Sequence, residues 1–184
     1  MKLSSPSSTR RTNKRNGFSP VEFIVAICVL TTGLLALYST SVVAHSLDHA
    51  SEARSNAAYA MQRVIERTKA LSAQWEENQV GWSNVVTTAL LPGGSIGVTF
   101  DVEGLDPWLG AASIGMVRIL TDETLTDAEL GIALGMPRDL NGDGDAVDID
   151  VTDDATLLPI IVRARWSGAG GNREATQAFY LTNT

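Results

Sequence analysis

GFSPVEFIVAICVLTTGLLALYSTSVVA, residues 17–44, decides the fold. Its last 22 residues, Phe23 to Ala44, contain no charged side chain. As a helix rising about 1.5 Å per residue they extend roughly 33 Å, enough to cross a hydrocarbon core of about 30 Å. Lys2, Arg10, Arg11, Lys14 and Arg15 precede this run with no acidic residue among them. The positive-inside rule therefore predicts a cytoplasmic N-terminal flank and an exported remainder. An ordinary secretory signal has a shorter apolar core of about 7–15 residues followed by a small-residue cleavage site. Here Glu22 stands at the mouth of the apolar run, where a carboxylate is costly in lipid and so is a functional candidate, the alternative being a carboxylate that rests at the headgroup level without a role.

The charge outside this segment is of the opposite sign. Setting aside the five basic residues of positions 1–17 leaves nine of the 14 basic side chains against 21 acidic ones, and seven of those acids lie between Asp139 and Asp154. Nucleic acid is not an expected partner, because neutralising phosphates needs a basic surface. The length of 184 residues suits one domain with a terminal extension. The sole cysteine, Cys28, lies inside the apolar run, so no intrachain disulfide can form.

The string Gly17-Phe18-Ser19-Pro20-Val21-Glu22-Phe23, after a short basic leader and before a long apolar helix, resembles the prepilin cleavage and methylation motif of type IV pilins and type II secretion pseudopilins. The resemblance implies that a membrane prepilin peptidase cuts after Gly17, that Phe18 becomes the N-methylated first residue, and that Glu22 is the glutamate found at the fifth mature position in most members. In that family the carboxylate pairs with the α-amino group of a neighbouring subunit. Such pairing offsets a desolvation cost of several kcal/mol and makes Glu22 a register device. Pro20 departs from the family's usual apolar residue, but proline is tolerated in a first helical turn, where its missing N–H has no partner in any case. The implied fold is α+β, the type IV pilin fold, in which a long N-terminal helix packs on an antiparallel β-sheet head.

The helical pattern continues past Ala44. Ala57, Met61, Val64, Thr68, Leu71 and Trp75 recur at steps of four and three, with Arg54, Arg63, Glu66, Arg67 and Lys69 between them. Neither proline nor glycine interrupts Leu34 to Val80, so one helix is expected from about Phe18 to near Asn78, ending around Gly81. The expected organisation is a leader over 1–17, a membrane and assembly half of the helix over 18–44, an amphipathic half over 45–80, and a β-rich head over 81–184. His45 and His49 share a helical face near Asp48 and Glu52, but they lack the general-base arrangement of a zinc hydrolase and suit solvated helix surface.

Beyond Gly81 the chain breaks into short apolar runs divided by Gly, Pro and Asp: Val85 to Leu91, Ser95 to Val102, Ile114 to Thr121, Leu157 to Trp166 and Ala175 to Thr182. These are expected strands. Val162, Ala164 and Trp166 alternate with Ile161, Arg163 and Arg165, which implies a sheet with one covered face, and the glycines of Ser167 to Asn172 suit a hairpin. That final hairpin is similar to those of minor pilins and minor pseudopilins.

Residues 139–150, DLNGDGDAVDID, within an acidic loop over 139–154, resemble an EF-hand or dockerin calcium loop. Asp139, Asn141, Asp143 and Asp150 occupy positions one, three, five and twelve as side-chain ligands, Gly144 allows the sharp turn, and Asp145 offers its backbone carbonyl. Position nine, Val147, leaves its place to water, and position twelve is Asp instead of the usual Glu. So many carboxylates in one turn repel unless a cation screens them, and calcium is the expected ion.

No glycine-rich phosphate loop or nucleophilic constellation is evident, so a non-enzymatic role is expected. The leading expectation is a structural subunit, a minor pilin or pseudopilin, anchored once in the inner (cytoplasmic) membrane with its head periplasmic or extracellular. The resemblance implies a prepilin peptidase, other pilin or pseudopilin subunits, an inner-membrane assembly platform and membrane lipid as partners. The alternative is a membrane-tethered, calcium-dependent binding or adhesion module that does not polymerise. The first prediction concerns processing: in a host with a working prepilin peptidase, mass spectrometry of the membrane-extracted protein should show a chain starting at Phe18 and carrying one added methyl. An intact leader would overturn the processing assignment.

Overall fold

The computed structural model describes residues 19–74, 81–168 and 170–183, and the chain divides into two compact units, one up to His45 and one from Ser46. Helix α1 runs Pro20–Ser72. Proline is its first helical residue, and the first N–H closed by the helix is that of Phe23, donated to the Ser19 carbonyl at 3.2 Å. Gly17, Phe18 and Trp75 lie outside the described residues, as does the expected helix end near Asn78.

Within the first unit every described side chain from Ser19 to His45 is exposed, including Phe23, Ile24, Val29, Leu30, Leu34, Leu35, Leu37 and Tyr38. The helix is long and apolar enough to cross a membrane. Four of its hydroxyls in this stretch bond within the helix. Thr31 donates to the carbonyls of Ile27 and Cys28, Thr32 to that of Cys28, and Ser39 and Thr40 to that of Ala36. Such i−3 and i−4 bonds let Ser and Thr lie in hydrocarbon without an unpaired donor.

In the second unit the expected stripe becomes the buried face of α1. Ala57, Met61 and Thr68 are buried, as is Ile65, while Val64 and Leu71 are half-buried. Trp82, Val86, Leu90, Leu158, Ile160, Val162 and Trp166 share one core with Ala57, Met61 and Ile65, and Val64 packs against it. Helix α2, Trp82–Leu90, is tied back to the last residue of α1 by the Trp82 indole N–H, which donates to the Ser72 hydroxyl at 2.9 Å.

The α2 segment corrects the strand expected over Val85 to Leu91. Buried Trp82, Val86, Ala89 and Leu90 fall on one helical face, and Thr87 donates to the Ser83 carbonyl. A short apolar run rich in Val and Thr reads equally as strand or helix until its flanks are known. The run Ser95 to Val102 shrinks to β1, Thr99–Phe100, and a short β2, Asp106–Pro107, was not expected.

The sheet itself is antiparallel throughout, so the architecture is α+β. Strand β3 is Gly115–Ile119, β4 is Leu157–Gly168 and β5 is Gly171–Thr182, with β1 against β3 and the β4–β5 hairpin paired from Leu157↔Thr182 to Gly168↔Gly171. Since β5 occupies one edge of β4 along its whole length, β3 and β2 share the other edge. The alternation in β4 holds from Val162 to Trp166, where Arg163 and Arg165 are half-buried and ion-pair with Glu174 at 3.3 and 2.9 Å. From Leu158 to Val162 all residues are buried, so both faces are covered there. The long connection between β3 and β4 carries a single short helix, α3, Asp127–Leu130.

Phe100 lies opposite Gly115, and its ring covers the glycine so closely that an added Cβ would sit 2.2–2.3 Å from three ring carbons. Gly115→Ala should therefore destabilise the head by about 1–3 kcal/mol through overpacking. Combined with Phe100→Ala, the penalty of the second change should shrink, because the ring that clashes is gone. Chemical denaturation of the full chain in detergent checks this, and strictly additive losses would contradict it.

Candidate metal centre

After β3 the backbone leaves the sheet at Leu120, whose N–H donates to the Pro159 carbonyl at 3.0 Å. It then runs beside the acidic loop. The Val151 N–H donates to the Thr121 carbonyl at 2.9 Å, the Glu123 N–H to the Asp148 carbonyl at 2.9 Å, and the Arg138 N–H to the Glu123 carbonyl at 3.3 Å. These bonds place the Glu123 side chain under the loop. Among the described residues it is the one charged side chain that is fully buried.

The Glu123 carboxylate is held asymmetrically. Its Oε1 accepts the N–H groups of Leu140 at 2.5 Å and Asn141 at 3.2 Å, whereas Oε2 is buried without a hydrogen-bond partner. Leu140 fixes this arrangement: its side chain is buried, and its carbonyl accepts from the N–H groups of Thr156 and Leu157 at the start of β4. Glu123, Asp145 and Asp148 each bring one carboxylate oxygen within 4.8 Å of the others. This is a buried-to-surface acidic cluster able to hold a metal ion, with Glu123 at the bottom, Asp148 half-buried and Asp145 exposed.

The loop is shaped by its own side chains. Asp139 accepts the N–H groups of Gly142 at 2.5 Å and Gly144 at 2.9 Å, Asn141 that of Asp143, Asp143 that of Asp145, and Asp145 that of Val147. Gly144 has φ of 104°, a left-handed conformation that suits glycine at the tight turn. The Asn141 amide donates to Asp148 at 3.2 Å and to Asp154 at 3.5 Å. Asp150 turns instead to Thr152, accepting its hydroxyl at 2.5 Å and its N–H at 3.0 Å. The Thr152 hydroxyl first, then its N–H, holds the Asp150 carboxyl below the usual range.

Of the residues that the loop spacing singled out, the structure brings the Asp145 carboxylate into the cluster and Asn141 to its edge. The carboxylates of Asp139, Asp143 and Asp150 are spent on backbone and hydroxyl donors of the loop. Glu123 and Asp148 were not among the expected ligands. Glu123 lies 16 residues before the loop, and no local pattern marks it, because only the tertiary pairing of Thr121–Glu123 with Asp148–Val151 brings it there. Asp148 is visible in the sequence, but the one-three-five-twelve spacing passes over it. Glu22 is exposed in the first turn of α1, where a carboxylate complements the helix dipole. No family model, curated protein or solved structure matches the chain.

Between Glu123 and the acidic loop the chain is organised by α3. Thr126 caps it in a capping box with Glu129, and Asp127 accepts the N–H groups of Leu134, Gly135 and Met136 at 2.9–3.0 Å. Those donors, Met136 foremost, hold the Asp127 carboxyl below its ordinary 3.8. A depressed carboxylate stabilises the fold above its unfolded pKa, and the effect is lost as pH falls through the folded value. Asp127→Asn should lower the melting temperature at neutral pH and flatten its dependence on pH below 3.8. Thermal melts across that range check this, and parallel curves for both proteins would contradict it.

Proposed function

We propose that this chain is a structural subunit, a minor pilin or pseudopilin, of a type IV pilus or type II secretion-like filament. The observation that carries the reading is the combination at the start of α1: a processing motif at Gly17-Phe18, one carboxylate at Glu22, and then an uncharged helix whose apolar side chains are all exposed. An exposed apolar helix of this length needs lipid or other helices around it. A plain membrane anchor has no use for a carboxylate at its mouth, whereas a subunit leaving the bilayer for a filament does, because Glu22 can pair with the α-amino group of a neighbour.

On this reading the pilin fold places the head outside the inner membrane, and the partners are a prepilin peptidase, further subunits and an inner-membrane assembly platform. Its role is assembly and display, without catalysis. The acidic centre of the head takes calcium, since oxygen donors alone, three of them carboxylates, suit a hard cation. That centre also favours a second reading, a tethered calcium-dependent adhesion module that stays unpolymerised.

Glu22→Ala separates the two. Removing the charge should leave membrane insertion intact, yet reduce recovery in sheared filament fractions by an order of magnitude or more through loss of the intersubunit pair, a loss worth about 1.4 kcal/mol for each factor of ten. Equal recovery of wild type and variant would argue for the tethered module.

A further inference from the structure

Deepening the calcium part of the proposed function, we infer that the ion is held by Glu123, Asp145 and Asp148, so that it fastens the acidic loop to the segment leaving β3 instead of filling the loop alone. The unpartnered Oε2 of Glu123 is the strongest sign. A buried carboxylate oxygen ordinarily accepts a hydrogen bond or coordinates a cation, and this one belongs to a carboxylate that reaches two others within 4.8 Å.

The distances suit calcium. Oxygens on one ion can be no farther apart than twice the metal–oxygen distance, which is about 4.6–5.2 Å for calcium and about 4.0–4.2 Å for magnesium. Oxygens that all lie within 4.8 Å of one another can therefore share one calcium ion, whose flexible shell tolerates an irregular set of oxygens better than magnesium's near-ideal octahedron. Asp145 is exposed, so water from its side can complete six to eight ligands. The hydrogen bonds around the centre also hold it in shape. Glu123 Oε1 is fixed by two N–H groups, and the Asn141 amide, donating to Asp148 and Asp154, orients the second carboxylate.

Such an ion joins two parts of the chain that are far apart in sequence: Glu123 on the segment leaving β3, and Asp145 with Asp148 on the acidic loop. Binding the folded form and not the unfolded one, it must raise stability by mass action. Glu123→Gln keeps an oxygen for the Leu140 and Asn141 N–H groups while removing the charge. It should therefore melt at or above the wild-type temperature in chelator, and should lose the response to calcium.

The test is thermal melting and calorimetry of the full chain in detergent, with calcium chloride, magnesium chloride or EDTA. Wild type is expected to melt several degrees higher in millimolar calcium than in EDTA, with a much smaller effect of magnesium. Glu123→Gln and Asp148→Asn should each weaken calcium binding at least tenfold, and Asp143→Asn, whose carboxylate serves the Asp145 N–H, should leave it within about threefold. Should Glu123→Gln fail to fold, Asp145→Asn on the exposed rim decides in its place, and unaltered binding in it overturns the site. Calcium binding that survives in the Glu123 and Asp148 variants but is lost with Asp143→Asn would overturn this ligand set and return the ion to the loop. No calcium response in wild type would overturn both the site and the calcium reading, leaving the filament reading to the Glu22 experiment.

Discussion

One helix has to satisfy two solvents. From Val21 to Val43 the apolar side chains of α1 face outward all round, a surface that water does not tolerate at this size. From Ala57 onward the same helix keeps only a stripe, Ala57, Met61, Ile65 and Thr68, for a protein core and presents Arg63, Glu66 and Arg67 to water. The hydroxyls of Thr31, Thr32, Ser39 and Thr40 turn to their own helix carbonyls, as hydrocarbon, which supplies no hydrogen bonds, would require. Thr68 does the same in the core, donating to the Val64 carbonyl at 2.8 Å. The rule is shared because both surroundings are dry.

The head meets the same demand where it has little regular structure. Residues 120–156, between β3 and β4, send Leu130, Leu134, Met136, Leu140, Val151 and Ala155 into the core, which draws their backbone inward with few ladder partners. Side chains take the place of the ladder. Asp127 collects three N–H groups, Asp139 two and Glu123 two, and the Tyr180 hydroxyl donates from β5 to the Leu134 carbonyl. Carboxylates do this well because charge-assisted bonds to N–H are short and strong. They also leave a concentration of negative charge in one place, and a loop built this way is prone to recruit a cation.

Those two layers of structure were legible in the sequence to different degrees. The long helix, its buried stripe and the β4–β5 hairpin follow from periodicity and from the glycines of residues 168–171, all of them local signals. Val85 to Leu91 reads as strand or helix alike, because β-branched residues in a short run carry no period of their own; its helical form buries Trp82, Val86, Ala89 and Leu90 on one face, with Trp82 bonded to Ser72. The acidic loop announced itself by composition, and its Asx turns follow its Asp and Asn spacing. Glu123 could not be found that way. Its position is fixed by pairing between segments more than twenty residues apart, and spacing within one segment is silent on such pairing.

An exposed apolar helix alone does not distinguish a lipid anchor from a filament subunit, since hydrocarbon and neighbouring helices bury Leu and Val equally well. The distinction lies in groups the two surroundings treat differently. In a bilayer a carboxylate at the helix mouth gains most by staying at the headgroups, and its placement relative to the next helix is immaterial. In a helical assembly the same carboxylate can be neutralised only by a neighbour's positive group at a fixed axial offset, so its position becomes a constraint on register. On the proposed processing, Glu22 stands after four uncharged residues counted from Phe18. The acidic centre leaves the tethered reading open but does not decide between the two, because an ion bound there would serve a displayed head and a tethered one alike. The functional choice therefore rests on one carboxylate at the start of α1.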